Sequence, residues 1–256
     1  MSHTEAVPFD AGRVLYEDAS CVVINKLPGE ALEADSGGEQ VAEAKSLVSL
    51  PHIVAAHLGV EKLHVVHRLD VPVSGCVVLA KDSDTLAFLN TAFARGRVRK
   101  LYWAIVEASE ALDTFVGALP QPDEGPSLVS GELIHFISVD ARYNKSHAHR
   151  ENGPGRYEAR LRWRLAGRGD NYAFLEIDLL TGRHHQIRAQ LAAEGLHIKG
   201  DLKYGSRRSE RAGGIRLHSR MLSFPNPAQE AISITVLADP PRPDPLWKAC
   251  MDACST

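Results

Sequence analysis

Residues 63–80 read LHVVHRLDVPVSGCVVLA, and Arg68 and Asp70 are the only charged residues in this stretch. The apolar segments on either side, 65–66 and 77–80, are typical of buried strands. Removing a carboxylate from water is costly unless it is paired and hydrogen-bonded. An aspartate between two such strands therefore predicts a loop at the floor of a cleft, although a turn aspartate that caps its own loop fits the local pattern equally well.

A second charged segment, residues 181–188, reads TGRHHQIR and follows a strand-like stretch. Thr181 as N-cap and Gly195 as the residue after the last turn predict a helix between them. Arg183 then lies on the inward face of the first turn, where the helix dipole disfavours a cation. An acidic partner would compensate for this position, and Asp70 is the candidate. Alternatively, Arg183 extends into solvent and binds nothing in particular.

Several motifs occur in the order found in one enzyme family. HRLD at 67–70 with Ser74 and Gly75, Lys100-x-Tyr102-x-Ala104, and TGRHHQIR at 181–188 resemble the three motifs of the RluA-type pseudouridine synthases. Shorter segments that resemble further family signatures are NKLPG at 25–29, GDLKYG at 200–205 and LHS at 217–219. The positions that depart from the usual pattern are Val73 for Thr, Cys76 for Leu, His184 for Thr and Gln190 for His.

This resemblance implies the isomerisation of uridine to pseudouridine in RNA. The N1–C1′ bond is broken, the uracil is rotated, and C5 is joined to C1′. The reaction needs no redox change and no group donor, so we expect no cofactor and no metal. The sequence is consistent with this expectation, because it contains neither a Walker loop nor a dinucleotide-binding glycine motif.

The resemblance also implies a catalytic set of three residues. Asp70 would act at the ribose, either as a nucleophile or as the base that removes the C2′ proton. Arg183 would hold Asp70 ionised and oriented through charge-assisted hydrogen bonds. Tyr102 would stack on the flipped base, and its hydroxyl would assist the final proton removal at C5. Without the resemblance, Tyr102 is an ordinary strand aromatic of the core.

Positive charge is concentrated in the same part of the chain. Residues 67–220 carry a net charge of +5, whereas residues 1–66 carry −6 and residues 221–256 carry −2. The densest cluster, residues 95–100, is rich in arginine and suits phosphate contacts, although each cluster alone is also typical of a solvated surface. The predicted RNA contacts are Arg68, Arg97, Arg99, Lys100 and Arg188. The expected partner is structured RNA, a ribosomal or transfer RNA stem-loop.

Length and pattern favour one large domain. Strand-like segments (21–25, 101–106, 157–165 and 232–237) outnumber helical ones (83–94 is the clearest) and do not alternate with them regularly. This pattern predicts an α+β fold with a largely antiparallel or mixed sheet flanked by helices, and the resemblance adds a central RNA-binding cleft. We expect an N-terminal tail at 1–12, a catalytic domain at 13–242 and a C-terminal tail at 243–256. That division leaves no room for the N-terminal S4-type domain that family members often carry.

The composition predicts the cellular setting. There is no apolar run of transmembrane length and no signal-peptide pattern, so we expect no membrane association. The four scattered cysteines predict reduced thiols in a cytoplasmic protein. No protein partner is evident, and we expect a monomer.

Two other functions fit parts of the sequence. A non-catalytic RNA-binding or RNA-folding protein would use the basic clusters without a catalytic carboxylate. A metal-dependent hydrolase is suggested by the 12 histidines, among them His147, His149, His184 and His185. Neither histidine spacing matches a strong zinc signature, and on a helix His184 and His185 would point in different directions.

Overall fold

The computed structural model describes residues 9–33, 49–117, 129–211, 213–241 and 243–255. Within these ranges the strands are β1 (Val14–Glu17), β2 (Cys21–Lys26), β3 (His64–Val65), β4 (Ser74–Ala80), β5 (Arg99–Glu107), β6 (Ser130–Asp140), β7 (Lys145–His149), β8 (Tyr157–Arg168), β9 (Tyr172–Leu179), β10 (Leu217–Asn226) and β11 (Gln229–Leu237). The helices are α1 (Leu50–Leu58), α2 (Ser83–Ala94), α3 (Glu110–Gly117), α4 (Gln186–Ala193) and α5 (Pro245–Cys254). In this part of the chain, none of the helices has the length and hydropathy needed to cross a membrane.

The strands form one 11-stranded sheet in the order β1-β2-β4-β10-β5-β9-β8-β6-β7, with β11 beside β10 and β3 beside β4. Only β4 and β10 run parallel, and the other described pairs are antiparallel. The α+β class with a largely antiparallel sheet is confirmed. Helices α1 and α4 pack on one face, where the main core lies, and α2 packs on the opposite face.

Helix α2 has the predicted bounds. Asp82 caps its N-terminus, since the backbone N–H of Thr85 donates to the Asp82 side chain. The predicted strands 21–25, 101–106, 157–165 and 232–237 all lie inside observed strands. The polar stretch after Asn144 contains strand β7, whose residues pair with β6.

Helix α4 begins at Gln186 and not directly after Thr181, which corrects the predicted start. The Gln186 side chain closes the preceding loop, because its Oε1 accepts hydrogen bonds from the Thr181 hydroxyl and the Arg183 N–H at 2.8 and 2.9 Å. Its Nε2 donates to the Arg160 carbonyl of β8 at 3.0 Å. The loop is therefore tied to the sheet and cannot enter the helix earlier. Gly195 follows the helix with φ +73°, as predicted for its C-terminal end.

The C-terminal segment 243–256, expected to be a tail, contains helix α5. Asp244 caps this helix by accepting from the Trp247 N–H at 2.9 Å. Trp247 and Cys250 are buried and pack against Phe174 and neighbouring residues of the sheet. The spacing of these two apolar side chains is that of one helix face, which is the signal that the sequence contained. At the other end, residues 1–8 of the expected N-terminal tail lie outside the described ranges.

Two residues position the loop that carries Asp70. Lys26 is fully buried at the end of β2, and its ammonium donates to the carbonyls of Leu27, Asp70, Val71 and Val73 at 2.7 to 3.3 Å. Gly75 pairs with Ser219 across the parallel strands. A Cβ at Gly75 would lie 2.2 Å from the Ser219 carbonyl oxygen, and its φ is +114°, so this approach requires glycine.

Candidate active site

A cleft of about 730 Å³ opens above the Asp70 loop. One side is formed by residues 67–73, the other by the segment that leads into α4, and β5 contributes to the floor. The positively charged side chains that line the cleft are Arg68, Lys100, Arg183, Arg188 and Lys203. This charge suits a polyanionic ligand.

Asp70 is held by Arg188 in the cleft. Arg188 Nη1 donates to Asp70 Oδ2 at 2.9 Å, while Arg188 Nε and Nη2 donate to the two oxygens of Asp201 at 2.7 and 2.8 Å. The side chains of Arg188 and Asp201 are 5% and 2% exposed, and that of Asp70 is 24% exposed. The two carboxylates raise the pKa of Arg188 against the opposing effect of burial. Asp70 is thus a partly accessible carboxylate with a fixed cationic partner.

His185 lies on the other side of Asp70. Its Nε2 is 3.6 Å from Asp70 Oδ2, and its Nδ1 is 3.0 Å from the Tyr204 hydroxyl. Burial lowers the pKa of His185 to about 4, although Asp70 acts in the opposite direction. The ring is therefore neutral at pH 7. The Tyr204 hydroxyl, which lies beside Nδ1, donates its proton to the Ser146 carbonyl oxygen at 3.1 Å.

Tyr102 lines the cleft from β5, opposite Ser219 of β10. The residue is 5% exposed. Burial raises its pKa, and the nearby Asp70 acts in the same direction. Its hydroxyl is therefore protonated at neutral pH and presents an O–H group near Asp70.

Arg183 does not pair with Asp70, which corrects the predicted interaction. Its Nε donates to the Glu158 carbonyl at 2.9 Å, and its guanidinium carbon lies 5.7 Å from the ring centroid of the exposed Tyr157. The later start of α4 places Arg183 in the loop at the edge of the cleft. Arg188, predicted as a phosphate contact, occupies the first helical turn beside two acidic side chains. The expectation of an acidic partner for a first-turn arginine applies to Arg188.

The other predicted RNA contacts fall into two groups. Arg68 and Lys100 line the cleft. The Arg68 side chain is 67% exposed and forms an ion pair with Glu33 at 3.2 Å. Burial lowers the pKa of Lys100, and the nearby Asp178 acts in the opposite direction. Arg97 and Arg99 do not line the cleft. Arg97 is paired with Glu230, and Arg99 is exposed on β5.

The sequence interpretation missed the roles of the two adjacent histidines. His184 and His185 are stacked, with ring centroids 3.8 Å apart. The prediction that they diverge on a helix was wrong, because both precede α4 and His185 adopts a left-handed φ of +51°. Among the described residues, no group of three or more His, Cys, Asp or Glu side chains could hold a metal ion. The GDLKYG segment provided a signal for Asp201 and Tyr204.

Comparison with protein families matches residues 20–193 to the family described as RNA pseudouridylate synthase. This range contains Asp70, Tyr102 and Arg188. It comprises more than half of the chain.

Individual relatives and solved structures agree with this match. An uncharacterized RNA pseudouridine synthase of Synechocystis sp. is 30% identical over 242 residues, which cover 92% of this chain and 66% of that protein. The ribosomal large subunit pseudouridine synthase D of Xylella fastidiosa is 28% identical, covering 93% of this chain and 69% of that protein. The chain thus spans about two thirds of the length of these relatives. The solved structure of human RNA pseudouridylate synthase domain containing 4 has a TM-score of 0.65 at 22% identity, covers 94% and 92% of the two chains, and shares the fold.

Proposed function

Because the chain belongs to the RNA pseudouridylate synthase family, we propose that it isomerises specific uridines in structured RNA, ribosomal or transfer, to pseudouridine. The observation that carries this proposal is the Asp70–Arg188–Asp201 network at the floor of a cationic cleft, in which Arg188 and Asp201 are buried. Such a network is costly to bury for structure alone, because replacing buried ion pairs by apolar residues is often neutral or stabilising.

Asp70 is proposed to react at the ribose of a flipped uridine. It either attacks C1′ or removes the C2′ proton, and both roles require an ionised carboxylate that is fixed in direction. Arg188 fixes the direction of the carboxylate, since its Nη1 donates to Asp70 Oδ2 and it is itself fixed by Asp201.

Tyr102 and the cleft cations are proposed to hold the RNA. The Tyr102 ring forms a floor on which the uracil stacks, and its hydroxyl assists removal of the C5 proton after the new bond forms. Arg68 fills the space left by the flipped base or contacts the backbone. Lys100, Arg183 and Lys203 bind phosphates at the rim. Flipping a base out of its stack costs about a few kcal/mol, and the cost is lowest in loops, so a stem-loop is the favoured target.

Carbodiimide mapping of pseudouridine in total RNA tests the proposal. Cells that lack the gene are complemented with the wild type, with Asp70→Asn, or with Asp84→Asn as a control at an exposed position of α2. We expect a site that is lost in the deletion and restored by the wild type and the control, but not by Asp70→Asn. A deletion phenotype that Asp70→Asn rescues would instead favour a non-catalytic RNA-folding role.

A further inference from the structure

His184 lines the cleft at a position that the mechanism above does not use. Its ring stacks on His185, the residue next to Asp70. The carbonyl oxygen and Nδ1 of His184 both face the buried Ser146 of β7. Both the face and one edge of the ring are therefore fixed, and the opposite edge, which carries Nε2, is left for the cleft.

Ser146 determines which ring nitrogen of His184 carries the proton. The Ser146 hydroxyl donates to the His184 carbonyl oxygen at 2.7 Å, which uses its single proton. Ser146 Oγ lies 2.9 Å from His184 Nδ1, so in this second hydrogen bond Nδ1–H must be the donor. A neutral ring with a proton on Nδ1 has a lone pair on Nε2.

The surroundings keep His184 neutral. Burial lowers its pKa, the cations Arg68, Arg188 and Lys203 act in the same direction, and Asp70 acts oppositely. At neutral pH the cleft thus contains a hydrogen-bond acceptor in fixed orientation, among side chains that are otherwise mainly cationic donors.

We propose that His184 Nε2 accepts a hydrogen bond from N3–H of the target uracil and thereby selects uridine over cytidine. This inference rests on the proposed function. The uracil ring is attached at C1′, so a ribose held at Asp70 brings the base to the side chains that neighbour Asp70. N3–H is the only ring donor of a uracil in RNA, whereas N3 of cytidine carries a lone pair. Two lone pairs would face each other in the cytidine complex, and this mismatch rejects the wrong base.

The tautomer of His184 can be measured without any RNA. Nitrogen-15 NMR of the histidine rings should show His184 with its proton on Nδ1 at pH 7. In Ser146→Ala the hydroxyl is lost, and we expect the signal to move toward the Nε2–H form. A wild-type ring protonated on Nε2 would overturn the proposal.

Kinetics then test the contact itself. The substrate is a synthetic stem-loop that carries the uridine found by mapping, or 3-deazauridine in its place, which has C–H where uracil has N3–H. We compare kcat/KM for the two RNAs with the wild type and with His184→Phe, which keeps a ring for stacking but has no acceptor. The intrinsic reactivity of the analogue is the same for both enzymes and cancels in the ratio.

The ratio of kcat/KM for the uridine RNA to that for the analogue RNA should be about tenfold higher in the wild type than in His184→Phe. This is the effect of one well-placed hydrogen bond. Ser146→Ala should give an intermediate preference. His147→Phe, at an exposed position of β7, should match the wild type. An equal preference in the wild type and His184→Phe would overturn the role of His184 while leaving the proposed function intact. A wild type that isomerises no RNA would overturn both.

Discussion

Arg188 Nη1 lies 2.9 Å from Asp70 Oδ2, although 118 residues separate the two in the chain. The same guanidinium binds both oxygens of Asp201 through Nε and Nη2. Asp201 therefore fixes the plane of the guanidinium and leaves Nη1 directed at Asp70. The planar guanidinium of arginine can bind two carboxylates in fixed directions at once, and a lysine ammonium cannot.

Arg188→Lys should lower kcat by about 100-fold, because a displacement of Asp70 by an ångström is enough for such a loss. The variant should also lose about 2 kcal/mol of unfolding free energy, since Asp201 keeps a buried charge with a poorer partner. The measurements are single-turnover isomerisation of the mapped RNA and urea denaturation.

Arg183→Lys provides the matched control at an exposed arginine of the same segment. We expect a higher KM and little change in kcat, because Arg183 bonds to the Glu158 carbonyl and not to Asp70. The proposed catalytic pair would be refuted by an Arg183→Lys variant with the larger loss of kcat.

Lys26→Met should weaken both the fold and catalysis. The buried ammonium binds the carbonyls of Asp70, Val71 and Val73, and methionine leaves them without this donor. We expect a loss of about 3 kcal/mol or more in urea denaturation, together with a lower kcat. Lys81→Met is the control, since Lys81 binds Glu17 and the Asp18 carbonyl. Lys26 would have no positioning role if folded Lys26→Met kept the wild-type kcat.

Tyr102→Phe separates the ring of Tyr102 from its hydroxyl. The ring remains available for stacking, so RNA affinity and thermal stability should be close to the wild type. If the hydroxyl assists proton removal at C5, kcat should fall by about 100-fold. Tyr16→Phe removes a hydroxyl that binds Asp18 and should have no effect on kcat. Full activity of Tyr102→Phe would limit the tyrosine to stacking.

The features that the sequence predicted correctly depend on local patterns. The apolar run at 77–80 and the alternation at 157–165 become β4 and β8, and the apolar spacing within 83–94 becomes α2. The position of Asp70 in a cleft follows from the same reasoning, because two buried strands flank a carboxylate that must be paired.

The choice between Arg183 and Arg188 could not be made from local sequence. It depends on where α4 begins, and that is decided by the hydrogen bond from Gln186 to the Arg160 carbonyl of a distant strand. The stack of His184 on His185 has the same origin, since it requires the left-handed φ of His185. Contacts between distant segments, and not helix propensity, thus determine the details of the site.

His218 joins three strand ends in the core beneath the site. Its Nδ1 lies 2.9 Å from the Ser74 hydroxyl of β4, and its Nε2 lies 2.9 Å from the Ala238 carbonyl that follows β11. The Ala238 carbonyl accepts from Nε2–H. In the neutral ring Nδ1 then carries a lone pair, and the Ser74 hydroxyl donates to it. Burial of the ring lowers the pKa of His218 to about 4.

This shift predicts how stability depends on pH. The pKa of His218 is below its ordinary value of 6.5 in the folded protein, so the unfolded chain binds the proton first as the pH falls. The stabilisation that depends on neutral His218 is complete above about pH 6.5 and is lost between pH 6.5 and 4. From pH 7 to pH 5 this group alone should lower the unfolding free energy by about 2 kcal/mol. In His218→Gln the amide can still donate to Ala238 but does not titrate. Urea denaturation at both pH values should therefore show that the variant is less stable than the wild type at pH 7. Between pH 7 and pH 5, however, its unfolding free energy should fall by about 2 kcal/mol less than that of the wild type. An equal loss in both proteins would assign the acid sensitivity to other groups, of which His67 is the next candidate, because burial lowers its pKa to about 3.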